Sequence, residues 1–213
     1  MPNGDVIQKI FLLILVAVID GVIVACSRIV EAPMQGVSSD GGFLSGEPCS
    51  APCFSSIIPG ETNFDQVRMS LSKNGDDLSC NTSIDLDSRK VMSCKNGIWI
   101  GAAAQTNLVD YISIRVDNSV KLDQVFEKYG SPDTIAVMLT SLPDYSDNAA
   151  TLFYDTLQKT ITLETSIKSP YPVTASSIVA EAEYFDKATF NQRHDDYDPG
   201  EWKGFGNYNL TGY

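Results

Sequence analysis

Two hydrophobic rhythms run along the chain from residue 58 onward. Phe64, Val67 and Leu71 recur at spacings of three and four, one face of a short helix. The turn Ile58-Pro59-Gly60-Glu61-Thr62 leads into it, Thr62 or Asn63 can cap it, and Asn74-Gly75 stops it. Strand-like runs follow at Leu78–Ile84, Lys90–Cys94, Ile98–Ala103 and Leu108–Val116, with a hairpin signal at Lys95-Asn96-Gly97. The order then repeats. Ser119 can cap a helix bearing Leu122, Val125, Phe126 and Tyr129 on one face, closed by Gly130 and Pro132. Strands are predicted at Ile135–Thr140, Thr151–Tyr154, Thr160–Glu164 and Ser177–Phe185. In the last, Ala182 and Tyr184 alternate with Glu181, Glu183 and Phe185, as in a sheet with one wetter face. Asp65-Gln66-Val67 and Asp123-Gln124-Val125 stand at matching helix positions. The pattern predicts an α+β fold of two tandem units, each a short helix followed by an antiparallel β-meander. The units span residues 49–117 and 118–190, with an acidic, aromatic-rich tail at 191–213.

Ahead of this body lies an unbroken apolar run of ten residues, Ile10 to Ile19, preceded by Lys9. Its length suits a signal peptide, because a spanning helix needs about 20 apolar residues. The run leads to Val22-Ile23-Val24-Ala25-Cys26, which resembles a bacterial lipobox, with Val24 where Ser or Ala is usual. That resemblance implies cleavage after residue 25 and a lipid such as palmitate on Cys26. An uncut N-terminal anchor helix and a buried helix are the other readings of the same run. Residues 26–48, rich in Ser, Gly and Pro and without a sustained period, read as a flexible tether.

Charge narrows the partners. Of 213 residues, 27 are acidic and 15 basic, a net charge of −12. Removing residues 1–25 takes two acids and one base and leaves −11. Nucleic acid is disfavoured, since its binding draws affinity from Lys and Arg on phosphates. Anionic headgroups would be repelled, so membrane attachment falls to the lipid. With Cys26 set aside, Cys49, Cys53, Cys80 and Cys94 form an even set. Their spacing matches neither a doubled C-x₂-C zinc site nor a redox C-x-x-C. The favoured pairing is Cys80–Cys94, stapling neighbouring strands, with Cys49–Cys53 at the start of the body; the two other connectivities stay open. Closing a loop of about 15 residues stabilises by about 3 kcal/mol in the chain-entropy model.

The search for chemistry returns little. His194 is the single histidine, and it lies in a polar segment, which excludes multi-His metal sites. Gly42-Phe43-Leu44-Ser45-Gly46 has the wrong spacing for a nucleophile elbow, and no Gly-rich phosphate loop is present. His194 to Glu201 packs four carboxylates into eight residues, which could offer oxygens to calcium but does not fit an EF-hand; a solvated acidic loop is the default. No catalytic residue, cofactor or metal is therefore assigned. The aromatics Tyr197, Trp202, Phe205 and Tyr208, interleaved with glycines, are candidate binding residues, since Tyr and Trp anchor interfaces. Packing back onto the sheet is the competing expectation.

Ile58-Pro59-Gly60-Glu61-Thr62 followed by Phe64 and Asp65-Gln66-Val67 resembles the Gly-Met-Thr…Gln-Val opening of the small BamE-like lipoproteins of outer-membrane assembly. Glu61 replaces the Met favoured there. The same opening is similar to that of the beta-lactamase-inhibitory-protein fold, a tandem of helical elements and antiparallel sheet with a strand-stapling disulfide after the helix. The layout also resembles uncharacterised lipoproteins of Chloroflexi-type bacteria. The resemblance implies a tandem fold and a non-catalytic role. The expected function is an extracytoplasmic, lipid-anchored protein of the bacterial cell envelope that binds an envelope or secreted protein or acts as a scaffold. Inhibition of a secreted hydrolase is the first rival. A carboxylate-based glycan hydrolase is the second, and it needs a cleft with carboxyl groups about 5–10 Å apart.

Overall fold

The first predicted helix forms as α1, Phe64–Lys73, in a computed structural model that describes residues 43–46, 49–73, 79–85, 88–95, 97–116, 118–142, 145–164, 166 and 169–209. The expected signal peptide, Cys26 and most of the tether lie outside the described residues. Asn63 is the cap of α1: its Oδ1 accepts from the Asp65 N–H at 2.9 Å. Thr62 instead holds the preceding turn, with Oγ1 accepting from the Ile58 N–H. Four strands follow: β1 (Cys80–Ile84), β2 (Lys90–Cys94), β3 (Ile98–Ala102) and β4 (Val109–Arg115). Helix α2 (Leu122–Tyr129) begins after Lys121 rather than at Ser119, because Gln124 Oε1 reaches back to the Lys121 N–H at 2.8 Å. Gly130 ends it at φ 79°, its N–H donating to the Phe126 carbonyl. Then come β5 (Thr134–Leu142), β6 (Tyr145–Tyr154), β7 (Lys159–Leu163), β8 (Tyr171–Val173), β9 (Val179–Phe185), α3 (Lys187–Tyr197), β10 (Gly200–Glu201) and β11 (Gly206–Tyr208).

The expected pair of tandem helix-plus-meander units is corrected by the strand order. β1 to β7, β9 and β10 make one nine-stranded antiparallel sheet, ordered β1-β2-β3-β4-β9-β7-β6-β5-β10, and the fold is mostly β. The join is β4 against β9, with Ile112 opposite Tyr184 and Ile114 opposite Ala182. Two separate sheets would each expose an edge of unpaired backbone groups there. β11 pairs with β8 in a separate two-stranded ribbon.

Alternation of side chains gives the sheet two buried faces. Ile98, Ile100, Ile112, Ile114, Leu152, Ile161, Ala182 and Tyr184 belong to the main core with Val67 and Leu71 of α1 and Leu122 and Val125 of α2. Phe153 and Phe185 are the next residues along their strands. They point the other way and form a smaller core with Ala136 and Phe190 of α3. Cys80 faces Cys94 directly across β1 and β2 and the two form a disulfide; Cys49 and Cys53 form the other. Among the described residues no helix is long and apolar enough to cross a membrane.

The main core also holds a lysine. Lys159 is fully buried, with Nζ 3.5 Å from the ring centre of Tyr129, 4.7 Å from that of Phe43 and 4.8 Å from that of Tyr184. Phe43, within the stretch read as tether, is 1 % exposed, and its carbonyl accepts from the Tyr129 hydroxyl. Burial pushes the Lys159 ammonium well below the ordinary lysine value, and Lys128 adds like-charge repulsion. The ring faces attract the cation and oppose that fall. The unfolded chain binds this proton more tightly, so stability rises as pH climbs from the lowered folded value toward the unfolded value of about 10.4. Lys159→Met is expected to raise the melting temperature at pH 7 and to flatten the wild-type gain between pH 7 and 10. Thermal melts across that range check this; a variant destabilised equally at every pH would contradict it.

Candidate functional site

The four aromatics singled out in the tail divide between two places. Trp202, Phe205 and Tyr208 gather on Phe126 of α2. Phe205 stacks on Phe126 with ring centres 5.2 Å apart, Trp202 meets Phe126 edge-on at 5.6 Å, and Trp202 stacks on Tyr208 at 5.5 Å. The Tyr208 hydroxyl donates to the Gly204 carbonyl and accepts from the Lys203 N–H, closing the loop between β10 and β11. Trp202 and Tyr208 are partly buried against the main core, whereas Phe205 stays 50 % exposed. Packing back onto the sheet thus holds for Trp202 and Tyr208, while Phe205 remains half-exposed. Tyr197 lies elsewhere: it ends α3 and packs edge-on against Phe153 at 5.7 Å on the other face of the sheet.

The segment His194 to Glu201 is not a solvated loop throughout. Its first half is the last turn of α3, a helix capped by Asp186, whose Oδ1 accepts from the Thr189 N–H at 2.7 Å. The His194 ring stands against Phe153 and Phe190. No group of three or more His, Cys, Asp or Glu that could hold a metal ion occurs among the described residues. A broad groove of about 610 Å³ beside α3 is lined by Asp155, Gln158, Lys187, His194 and Asp195, among others.

A further convergence of polar groups was not singled out by the sequence. A cavity of about 370 Å³ lies between α3 and the strands β4 and β9, lined by Arg89, Tyr111, Glu183, Phe185, Thr189, Gln192, Arg193, Asp196 and Tyr197. Arg89 is delivered by the turn from β1 to β2, where its N–H donates to Asp85 Oδ1 and its carbonyl accepts from the Asp85 N–H. Arg89 Nη2 lies 2.9 and 3.0 Å from the two carboxylate oxygens of Asp110. Asp110 can meet it because the register of β3 and β4 shifts at Gly101/Ala102, leaving Asp110 as the extra residue of a bulge. Tyr111 lies flat on Gly101. A Cβ built there would come within 1.9 Å of the Tyr111 ring, so only glycine fits. The Arg89 guanidinium covers the Tyr111 ring at 5.1 Å.

On the opposite wall Arg193 Nη2 donates to Glu183 Oε2 at 2.8 Å, and its guanidinium stands 5.3 Å from the Phe185 ring and 5.1 Å from the Tyr197 ring. Thr160 donates a second bond to Glu183 Oε2 at 2.8 Å. Glu181, two residues along β9, accepts from the Ser113 hydroxyl. Burial raises the carboxyl of Glu183 above its ordinary value, Arg193 opposes that rise, and Glu181 adds to it. Burial also raises Asp110, opposed mainly by Arg89. The Nε atoms of Arg89 and Arg193 are buried and have no hydrogen-bond partner among the described residues.

No family model, curated protein or solved structure matches the chain. Its chemistry has to be read from its own geometry.

Two arginines about a hundred positions apart carry no joint sequence signal. The one available hint was the pair Glu181 and Glu183 on the wetter face of β9. Arg193→Ala leaves Glu183 buried without its counter-ion and is expected to destabilise by about 1.5–3 kcal/mol at pH 7. The loss of Arg193 lifts the Glu183 carboxyl further, so the deficit against wild type should shrink as pH falls and that carboxyl protonates. Urea unfolding at pH 7 and pH 5 measures this; a deficit that grows on acidification would contradict the assignment.

Proposed function

We propose that the protein is a lipid-anchored, extracytoplasmic binding module of the bacterial envelope that holds a protein partner without catalysing a reaction. The observation that carries the reading is Phe205, half-exposed and held in place by stacking on Phe126 and edge contact with Trp202. A rigid aromatic on a partly buried base is the usual anatomy of an interface anchor, because little side-chain entropy is lost when it is covered. The acidic body, −11 without residues 1–25, favours a basic partner, and exposed Glu201 lies beside the stack. The lipobox-like Val22-Ile23-Val24-Ala25-Cys26 supports the tether, and the two disulfides suit an oxidising compartment.

The non-catalytic reading draws on the arginine cavity. Its buried carboxylate Glu183, and Asp110 behind Arg89, are each already engaged by an arginine, which opposes the proton exchange a general acid or base performs.

Intact-mass measurement of the chain from its native membrane is expected to show loss of residues 1–25 and added lipid on Cys26, with neither in Cys26→Ala. An unmodified, uncleaved chain would overturn the tether. Phe205→Ser should fold as wild type and lose at least tenfold in affinity for a basic envelope protein recovered by crosslinking to the wild-type chain. Equal affinity would remove Phe205 from the interface.

A further inference from the structure

We propose a second site, separate from the stack of Phe205 on Phe126: the cavity between Arg89 and Arg193 binds a neutral saccharide. Its volume of about 370 Å³ lies within the range of small-ligand pockets, about 300–1,000 Å³. The class of ligand follows from how its charges are arranged. Arg89 faces Asp110 and Arg193 faces Glu183, so both cations are matched, and Asp196 adds a further carboxylate at the lip. An anion would find no uncompensated positive charge there, and a cation would meet two guanidinium groups. What the cavity offers is hydrogen-bonding capacity fixed in direction.

The Nε atoms of Arg89 and Arg193 are enclosed and have no hydrogen-bond partner among the described residues, while the two guanidinium groups line the cavity with their other N–H donors. Gln192 brings both a donor and an acceptor, Thr189 a hydroxyl, and Glu183 and Asp196 acceptors. A sugar hydroxyl can accept from an arginine while donating to a carboxylate, so one ligand serves both sets. The partly exposed ring of Tyr197 supplies apolar surface for the C–H groups of a pyranose. The walls are held in advance: Tyr111 is seated on Gly101, Arg193 lies by the Phe185 and Tyr197 rings, and Glu183 is fixed by Thr160. Little has to be ordered on binding, which favours affinity.

The test follows the arginine Nε–H signals of the ¹⁵N-labelled full chain by NMR during titration with cellobiose, maltose and the β-1,4-linked disaccharide of N-acetylglucosamine. Acetate and inorganic phosphate serve as ionic probes. At least one disaccharide is expected to shift the Arg89 and Arg193 Nε–H signals saturably. The double substitution Gln192→Ala and Asp196→Ala, at exposed lip positions, is expected to weaken that binding at least tenfold with an unchanged melting temperature. Gln192→Ala alone is expected to weaken it to a smaller extent. Absence of a saturable shift with any disaccharide, tighter binding of acetate or phosphate to the same signals, or full sugar affinity in the lip variants would overturn the proposal. None of these readouts involves Phe205, so failure here and failure of the protein-docking reading are separable.

Discussion

The pairing of β4 with β9 is the constraint on which the rest depends. Five residue pairs, from Tyr111 opposite Phe185 to Arg115 opposite Glu181, join strands that lie some 70 positions apart. On one face the pairing merges Ile112 and Ile114 with Ala182 and Tyr184 into a single core under α1 and α2. On the other it sets Tyr111 and Ser113 beside Phe185 and Glu183, forming the floor on which α3 closes the arginine cavity. Core and cavity are thus two sides of the same ladder.

Buried charge is distributed unevenly over that ladder. At the cavity Asp110 and Glu183 each meet an arginine, so their desolvation is partly offset by ion pairing and by hydrogen bonds such as that from Thr160. In the main core Lys159 meets ring faces and the Tyr184 hydroxyl, at 3.4 Å, and no carboxylate among the described residues. The cavity arrangement places polar groups with fixed directions at an accessible surface, whereas Lys159 is sealed beneath Phe43. This contrast separates the cavity proposed for recognition from a packing compromise.

Much of the local structure was legible because amphipathic periods are local. The spacing of Phe64, Val67 and Leu71 and that of Leu122, Val125 and Tyr129 announced α1 and α2, and β2 carries its predicted bounds, Lys90–Cys94. The disulfides follow the favoured pairing, although cysteine number and spacing leave the two other connectivities open. Helix α3 was not legible, because its one fully buried residue is Phe190 and the rest is polar, leaving no apolar stripe. β8, β10 and β11 have two or three residues each, too short for a period. The single sheet was missed for a different reason. Alternation tells a strand which face is apolar but not which distant strand it joins, so a repeated order of elements was read as repeated units. The cavity inherits that blindness, since Arg89 comes from the β1–β2 turn and Arg193 from the unrecognised α3. Of the four aromatics chosen as binding residues, Trp202, Phe205 and Tyr208 do share one surface. Tyr197 instead joins the cavity, where the helix rather than the tail places it.

Amide hydrogen exchange across β4 and β9 tests the central claim of one continuous sheet most directly. If the sheet is one cooperative unit, the amides of Ile112 and Ile114 in β4 and of Ala182 and Tyr184 in β9 exchange with a common free energy equal to that of global unfolding. Separate free energies for residues 49–116 and 118–209, with β4 and β9 exchanging early as frayed edges, would contradict it.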